Sequence, residues 1–363
     1  SRISSLLTEA DTAARVGGDE FIILINDLRQ PQDLAPITSR LLELIGQPAR
    51  IDGNELRLTP SIGIAIFPQD GRDYDSLVKH ADAAMYHAKD KGRNNYQFFT
   101  ADLNARMLEQ LQLENALRRA LEHDELMVHF QPQYNVHNGE IIGAEALLRW
   151  RHSELGMISP ARFIPIAEDS GLIFKISDWV IKATCQHISH WQKLGLSVPA
   201  IAINISANQF RQHDFAGRIV EILIAHGISP AQIELELTES ILMQDIEIAI
   251  ANMQQLRASG FKLSIDDFGT GYSSLSYLKR FPIDKLKIDQ SFVREIPADD
   301  DSSAITGAIV SLAHSLQLKV IAEGVETKEQ LDFLIQKGCD EVQGYYFSKP
   351  LAANDFQLKL SNP

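Results

Sequence analysis

The sequence predicts an α/β protein in which a (β/α)8 barrel follows a smaller α/β domain. The length of 363 residues exceeds what one ordinary hydrophobic core supports, so two domains of unequal size are expected. From residue 126 onward, eight strand-like runs alternate with helix-like runs, which is typical of strand–helix units around a parallel sheet. Eight such units in about 250 residues match the size of a barrel. The runs are Leu126–Gln131, Ile141–Leu148, Ala200–Ile205, Ile233–Thr238, Lys262–Asp266, Lys285–Asp289, Lys319–Glu323 and Glu341–Phe347.

Helices are predicted between most of these strands. The stretches with helical patterns are Ser177–Leu194, Phe215–His226, Ile246–Ala258, Ala304–Leu316 and Lys328–Lys337.

The first hundred residues predict an α/β fragment, because apolar runs at Phe21–Ile25 and Ser61–Phe67 are accompanied by helical patterns. Residues 101–122 carry apolar side chains mostly at helical spacing, with charges between them, and predict a connecting helix. We therefore expect a first domain over residues 1–100, a linker helix over 101–112 and the barrel over 113–363.

The composition argues against some binding partners and indicates a cellular compartment. A net charge of −14 argues against a nucleic-acid polymer or an anionic membrane surface, since both require a basic field. Cys185 and Cys339 do not suggest a disulfide framework and favour a reducing compartment. No apolar run approaches the length of a membrane segment. A cytoplasmic location is expected, either alone or as the cytoplasmic part of a longer membrane-bound or sensor protein.

Two adjacent carboxylates, Asp266 and Asp267, end the apolar run Phe261–Ile265. An ionised carboxylate leaves water only when it is paired or binds a metal, so a divalent ion is one interpretation. The alternative is an Asp that caps the next helix, and the pair alone does not decide between them.

Other polar side chains lie at corresponding places near the predicted strand ends. Each alone would be interpreted as a solvated strand end or a satisfied core group, but residues at equivalent barrel positions converge in space. The set is Gln131, Glu145, Asn204, Glu236, Asp266 with Asp267, Lys287, Glu323 and Gln343.

The oxygen atoms in this set are ligands for magnesium or manganese rather than zinc. Glu145, Asn204, Glu236 and Asp266 supply one position, and Asp267 with Glu323 would complete a second. Glu323 could also take a proton from water.

Two basic residues accompany the predicted ligands. Lys287 either supports a water or a developing charge, or forms a salt bridge to Asp284 or Asp289. Arg149 is placed to grip a phosphate through its two-pronged guanidinium.

The string Glu145-Ala146-Leu147-Leu148-Arg149-Trp150 and several later strings resemble EAL-type cyclic-di-GMP phosphodiesterases over residues 113–363. The resemblance implies a modified, TIM-like (β/α)8 barrel that uses magnesium or manganese to hydrolyse one phosphodiester of cyclic-di-GMP, giving linear pGpG in bacterial second-messenger signalling. The supporting strings are Phe130-Gln131-Pro132, Asn204-Ile205-Ser206, Glu236-Leu237-Thr238-Glu239-Ser240, Asp266-Asp267-Phe268-Gly269-Thr270-Gly271, Leu286-Lys287-Ile288-Asp289, Ala322-Glu323-Gly324-Val325-Glu326 and Gln343-Gly344-Tyr345.

The same resemblance implies a role for each matching residue. The implied metal ligands are Glu145, Asn204, Glu236, Asp266 and Asp267, the implied catalytic residues are Glu323 and Lys287, and Glu239 would steady the loop after Asp267. The implied lining of the nucleotide groove is Gln131, Leu147, Arg149, Gln343, Glu326 and Pro350. A homodimer through the barrel domain is also implied.

The front of the chain resembles the C-terminal half of a GGDEF diguanylate cyclase domain, through the string Arg15–Phe21 and the later string Ala81–Tyr86. In that family the motif residues Gly17, Gly18, Asp19, Glu20 and Phe21 would approach a guanine nucleotide and a metal. The family's preceding strand and phosphate-binding loop do not occur in this sequence, so GTP is expected only at a complete GGDEF domain.

Three functions therefore remain open from the sequence. The first is a phosphodiesterase regulated by the GGDEF domain, and its support is the unbroken carboxylate set. The second is a receptor that binds cyclic-di-GMP without cleaving it. The third is a bifunctional cyclase and phosphodiesterase in a longer parent chain.

Overall fold

The computed structural model describes residues 2–3, 5–8, 10–26, 28, 34–51, 54–56, 58–99, 112–212, 214–243, 245–270 and 275–361. The chain divides into two compact units, Ser1–Gln112 and Leu113–Pro363. Most of the predicted linker helix lies outside the described residues, but residues 112–120 are helical and are labelled α3.

The described residues of the first unit form three two-stranded sheets and two helices. One hairpin is formed by β1 (Thr12–Gly17) and β2 (Glu20–Leu24), and a second by β3 (Ala49–Ile51) and β4 (Asn54–Leu56). Helix α1 (Leu34–Gly46) connects them. Strands β5 (Ile62–Ile64) and β6 (Tyr96–Phe98) are parallel and are joined through helix α2 (Tyr74–Asp90). The predicted α/β fragment is therefore present as small separate sheets.

The second unit contains a closed barrel of eight strands. The parallel members pair in chain order from β8 to β15, and β7 closes the ring between β15 and β8. The strands are β7 (Leu126–Asn135), β8 (Ile141–His152), β10 (Ala200–Ile205), β11 (Ile233–Thr238), β12 (Lys262–Phe268), β13 (Lys285–Ile288), β14 (Lys319–Ala322) and β15 (Glu341–Val342). Two short strands, β9 (Gly156–Ile158) and β16 (Leu351–Ala352), add to its edges.

The expectation of a uniformly parallel sheet is wrong for β7, which is antiparallel to both of its barrel neighbours. A tight turn at residues 136–140 leads from β7 directly into β8, so the chain reverses direction without a crossover helix. Asn135 makes this turn by accepting hydrogen bonds from the backbone of His137 and Asn138. The run predicted for the last strand, Glu341–Phe347, is also too long, because only Glu341 and Val342 form a strand.

The helices around the barrel follow the predicted pattern. Three of them, α7, α9 and α13, begin and end at the predicted residues. Their ends are marked by side-chain caps such as Asp245 and Thr327 and by left-handed glycines such as Gly227 and Gly338. The helices are α4 (Pro160–Asp169), α5 (Ile173–Lys193), α6 (Ala207–Phe210), α7 (Phe215–His226), α8 (Glu239–Met243), α9 (Ile246–Ala258), α10 (Leu275–Leu278), α11 (Gln290–Glu295), α12 (Asp300–Ser315), α13 (Lys328–Lys337) and α14 (Ala353–Ser361). Among the described residues, none of the helices combines the length and apolarity needed to cross a membrane.

The barrel strands are buried on both faces, but the two faces differ in polarity. On β13, Leu286 and Ile288 belong to the hydrophobic core under the helices, whereas Lys285 and Lys287 form ion pairs with side chains of other strands across the interior. Alternate residues of a strand face opposite sides, so the barrel interior is polar while its outer layer is apolar.

Gly344 allows two loops at the carboxyl end of the barrel to pack together, and this contact predicts a difference between two glycine substitutions. A Cβ on Gly344 would lie 2.1 Å from the carbonyl oxygen of Val325, so Gly344→Ala should cost about 3 kcal/mol or more of unfolding free energy. In helix α12, a Cβ on Gly307 meets Lys337 at an ordinary 3.5 Å, so Gly307→Ala should be neutral or gain up to about 1 kcal/mol. Urea denaturation followed by tryptophan fluorescence measures the unfolding free energy of both variants. The signal reports on the second unit, where Trp150, Trp179 and Trp191 all lie. Equal stability of the two variants would contradict the packing described.

Candidate active site

The ammonium group of Lys287 lies at the centre of the carboxyl end of the barrel. Lys287 is fully buried on β13, and its partners come from β8, β11, β12 and the residue after β14. Its Nζ lies 2.6 Å from Glu323 Oε1, 2.7 Å from Glu236 Oε2, 3.0 Å from Asp266 Oδ1 and 3.9 Å from Glu145 Oε2. We call these four carboxylates the acidic cluster. Residues as far apart in the chain as Glu145 and Glu323 therefore meet at one point, as the strand-end pattern predicts.

Amide side chains join the acidic cluster on the side of β7, β10 and β15. Asn204 Nδ2 donates to Glu145 Oε1 at 2.6 Å, and Gln343 Nε2 donates to Glu145 Oε2 at 2.6 Å. Gln343 Nε2 also lies 3.2 Å from Gln131 Oε1. Glu145 is thus held in one orientation by two donors, and all three amides predicted from the sequence are part of the site.

Asp267 lies beside the cluster, at a break in the sheet. The register between β12 and β13 shifts between Ile265 and Phe268, and Asp267 has a left-handed backbone with φ of 54°. Oxygen atoms of Asp266, Asp267 and Glu323 all lie within 4.8 Å of one another. Without this irregularity, Asp267 would face away from Asp266, because adjacent strand residues point to opposite faces.

Glu239 contacts the loop that follows Asp267. It is buried at the start of α8, and its Oε2 accepts a hydrogen bond of 3.1 Å from the backbone nitrogen of Gly269. Residues 271–274 of that loop lie outside the described residues.

The electrostatics of the site are dominated by burial and by excess negative charge. Burial lowers the pKa of the Lys287 ammonium, but Asp266 and the other carboxylates outweigh this effect and raise it well above its usual value. Burial raises the pKa of Glu236 well above its usual range, and that of Glu323 to about 8, in both cases against the opposing effect of Lys287. Burial and the charge of Asp266 raise the pKa of Asp267 to about 6.

These groups fit a bound cation. One ammonium cannot neutralise four neighbouring carboxylates plus Asp267, and uncompensated buried charge is costly. Glu236 Oε1 is buried and has no hydrogen-bond partner among the described residues, which leaves an oxygen available to a ligand. All donors in the set are oxygen atoms, the ligand type that magnesium and manganese prefer.

The structure also settles the alternative for Lys287. Asp284 accepts instead from Arg257 Nη1 at 2.6 Å, and Asp289 accepts from the backbone of Ser291 at the start of α11. Neither forms the salt bridge to Lys287 that the sequence left open, because the barrel turns Lys287 toward its interior.

The remaining residues predicted to line a groove lie on β8, after β14 and before β16. Leu147 and Arg149 follow Glu145 along the same side of β8, and Arg149 is half-buried with Nη1 donating to the carbonyl of Leu148 at 2.9 Å. Glu326 is exposed in the loop after Glu323, and Pro350 directly precedes β16.

Sequence reasoning missed Gln133. This buried amide donates from Nε2 to Gln343 Oε1 at 3.0 Å and so fixes which end of Gln343 faces Glu145. A Cβ on Gly143 would lie 2.5 Å from Gln133 Oε1, so glycine makes room for the amide on the neighbouring strand. The only signal in the sequence is the alternation of Gln131 and Gln133 within an apolar strand.

In the first unit, the motif Gly17 to Phe21 forms the exposed tip of the β1–β2 hairpin. Gly18 and Asp19 make the turn, with Gly18 at φ of 52°, and Arg15 Nε donates to the carbonyl of Gly18 at 2.9 Å. Glu20 begins β2, and the ring of Phe21 is exposed.

Comparisons with known proteins find a family for each of the two units. Residues 114–350 match the EAL domain family, and residues 1–95 match the family described as diguanylate cyclase, GGDEF domain. A solved structure of PaMucR phosphodiesterase in complex with c-di-GMP is 44% identical, covering 68% of this chain and 99% of that chain with a TM-score of 0.66.

Two curated relatives extend over nearly the whole chain. The bifunctional diguanylate cyclase/cyclic di-GMP phosphodiesterase MucR of Pseudomonas aeruginosa is 46% identical over 99% of this chain and 52% of its own length. The cyclic di-GMP phosphodiesterase PdeR of Escherichia coli is 41% identical over 98% of this chain and 53% of its own length. The chain spans about half the length of these relatives. With a family match over its barrel and a fold shared with a solved member, the chain belongs to the EAL domain family.

Proposed function

We propose that this chain hydrolyses cyclic-di-GMP to linear pGpG by attack of water on one phosphodiester. The acidic cluster around Lys287 is the feature that supports this function most strongly, since it joins hard oxygen ligands, a cation and a candidate base at one point. The names of the relatives MucR and PdeR support cyclic-di-GMP as the substrate.

Magnesium or manganese is the proposed cofactor, with two ions in each site. Glu145, Asn204, Glu236 and Asp266 would hold one ion, and Asp267 and Glu323 would help to hold the other, with Asp266 shared. Two such ions supply electrostatic stabilisation of the entering and leaving oxygens at phosphorus.

Glu323 and Lys287 are the proposed proton acceptor and the proposed stabiliser of negative charge. Glu323 accepts the proton of the attacking water, and burial, which raises its pKa to about 8, makes it a stronger base than an ordinary carboxylate. Lys287 stays protonated and offsets negative charge that develops on the phosphoryl oxygens. The water oxygen bonds to phosphorus and the bond to the ribose 3′-oxygen breaks. The departing 3′-oxygen takes up a proton from solvent, which leaves the 5′-phosphate and a free 3′-hydroxyl of pGpG.

We propose that the side chains around the cluster bind the dinucleotide. Gln131 and Gln343 offer amide groups at the floor, and Leu147, Glu326 and Pro350 line the groove. Arg149 contributes a guanidinium for a phosphate; burial lowers its pKa, but a nearby Glu145 opposes that effect, and the group remains a cation.

We propose that the loop after Asp267 and the first domain regulate the reaction. Glu239 ties the loop after Asp267 to the barrel through Gly269, so we propose that this loop responds to the partner in a homodimer. The first domain, residues 1–100, with the linker at 101–112, would regulate the barrel domain at 113–363, and GTP would bind where the GGDEF domain is complete. A cytoplasmic location agrees with two buried, unpaired cysteines.

Turnover is the direct test of this function. The purified chain is incubated with cyclic-di-GMP and Mg²⁺ or Mn²⁺, and pGpG is followed by chromatography. We expect turnover with either ion and loss of turnover on chelation. Calcium should allow binding with little turnover, because its longer and looser coordination places ligands less strictly. Binding without turnover under all conditions would favour the receptor function instead.

Substitution of two cluster residues tests the division of labour between the domains. Glu145→Ala or Asp266→Asn should lower kcat by at least about 100-fold, since each removes a charged ligand oxygen from the site. The matched control is Asp19→Ala, which removes a carboxylate from the exposed hairpin of the first unit and should leave basal hydrolysis largely intact. Comparable losses in all three variants would contradict the assignment.

A further inference from the structure

A second buried ion cluster lies beneath the acidic cluster inside the barrel. Lys285 Nζ lies 2.7 Å from Glu341 Oε2 and 3.2 Å from Glu234 Oε2, and the side chains of all three residues are less than one-tenth exposed. Burial lowers the pKa of Lys285, but Glu234 and Glu341 outweigh it and raise the pKa above its usual value. We call Glu234, Lys285 and Glu341 the lower layer.

Each residue of the lower layer precedes a residue of the proposed site by two positions in the chain. Glu234 precedes Glu236 on β11, and Lys285 precedes Lys287 on β13. Glu341 begins β15, and Gln343 follows at the end of that strand. Residues at i and i+2 share one face of a strand about 6.6 Å apart, so a tie in the lower layer fixes the three strands one step below the site.

The backbone alone constrains two of these strands weakly. Strand β15 has only two residues, and it makes two paired positions with β14 and two with β7. The β12–β13 ladder is interrupted directly above the lower layer, between Ile265 and Phe268. The Lys285–Glu341 ion pair crosses β14 and connects β13 to β15, and the Lys285–Glu234 pair crosses β12 and connects β13 to β11.

Stability does not explain this arrangement well. Desolvating three charged groups is expensive, and replacing a buried ion cluster by apolar side chains of similar size is often neutral or stabilising. Glu234 Oε1 is also buried without a hydrogen-bond partner among the described residues, which adds to the cost. An arrangement that is costly for stability but directional in its contacts is suited to placing the strands accurately.

We propose that the lower layer is a positioning device for the reaction: it sets the relative heights of β11, β13 and β15 so that Glu236, Lys287 and Gln343 meet in register. This inference rests on the proposed phosphodiesterase function. The lower layer contributes to the chemical step rather than to binding. Misplacement of reacting groups by a fraction of an ångström lowers the rate, while the groove that binds the nucleotide is unchanged.

The test is the triple variant Glu234→Leu, Lys285→Met, Glu341→Leu, which leaves no buried charge without a partner, since Lys319, the other partner of Glu341, is exposed. We expect the thermal midpoint to be unchanged or higher, kcat to fall between about tenfold and 100-fold, and KM to change by less than about threefold. The matched control is Glu247→Gln, Arg280→Met, which removes an exposed ion pair and should leave kcat unchanged.

The single variant Glu341→Leu is measured alongside. It keeps the oppositely charged pair Lys285 and Glu234 and removes the contacts of Glu341 with Lys285 and with the exposed Lys319, so kcat should fall less than in the triple variant but more than in the control. Wild-type kcat in a folded triple variant, or in a folded Glu341→Leu variant if the triple variant does not fold, would overturn the proposal. Failure of both variants to fold would also overturn it, since the layer would then be needed for folding.

The wild-type chain in the same assay separates this inference from the function on which it rests. If the wild type gives no pGpG, the proposed function fails. If the wild type turns over and the triple variant does so equally, only the positioning role fails.

Discussion

The interaction on which the rest of the structure depends is the burial of one ammonium group among more carboxylates than it can neutralise. Lys287 contacts side chains that lie on, or directly after, four different strands. Each contact exists only if the barrel closes with the correct register. The excess of negative charge that remains is unfavourable in a protein interior without further cations. The same feature therefore accounts for the geometry of the site and for its fit to a bound cation.

Several irregularities in the fold serve this site. The reversed direction of β7 brings Gln131 and Gln133 beside Glu145 and Gln343 at the point where the ring closes. The bulge in β12 lets Asp267 stand beside Asp266 on the site. The barrel interior contains two layers of buried ion pairs, the acidic cluster with Lys287 and the lower layer, and apolar residues pack outside them against the helices.

Much of this arrangement was predictable from local patterns. Polar groups near the ends of apolar runs identified Glu145, Glu236 and Asp266, and helical patterns gave the limits of helices α7, α9 and α13. Strand direction was not predictable, because the alternation of side chains is the same in parallel and antiparallel strands, and β7 was wrongly expected to be parallel. The partners of Lys287 depend on register between strands, which no local pattern specifies.

Gln133 and the lower layer were not identified from the sequence for a related reason. Gln133 and the lower layer stand among apolar neighbours and have no motif of their own, although Glu234 and Glu236, like Lys285 and Lys287, alternate within their strands. The alternation signals that the inner face is polar, but only the closed ring shows which of these groups meet.

The measurement that tests the central claim most directly is the stoichiometry of Mn²⁺ binding by titration calorimetry, for the wild type and for Asp266→Asn. An excess of buried carboxylates around Lys287 predicts about two ions per chain in the wild type, with release of protons from the raised-pKa acids, and loss of binding in the variant. A wild-type chain that binds no Mn²⁺, or a variant that binds it equally well, would contradict the claim that these carboxylates are held together by cations.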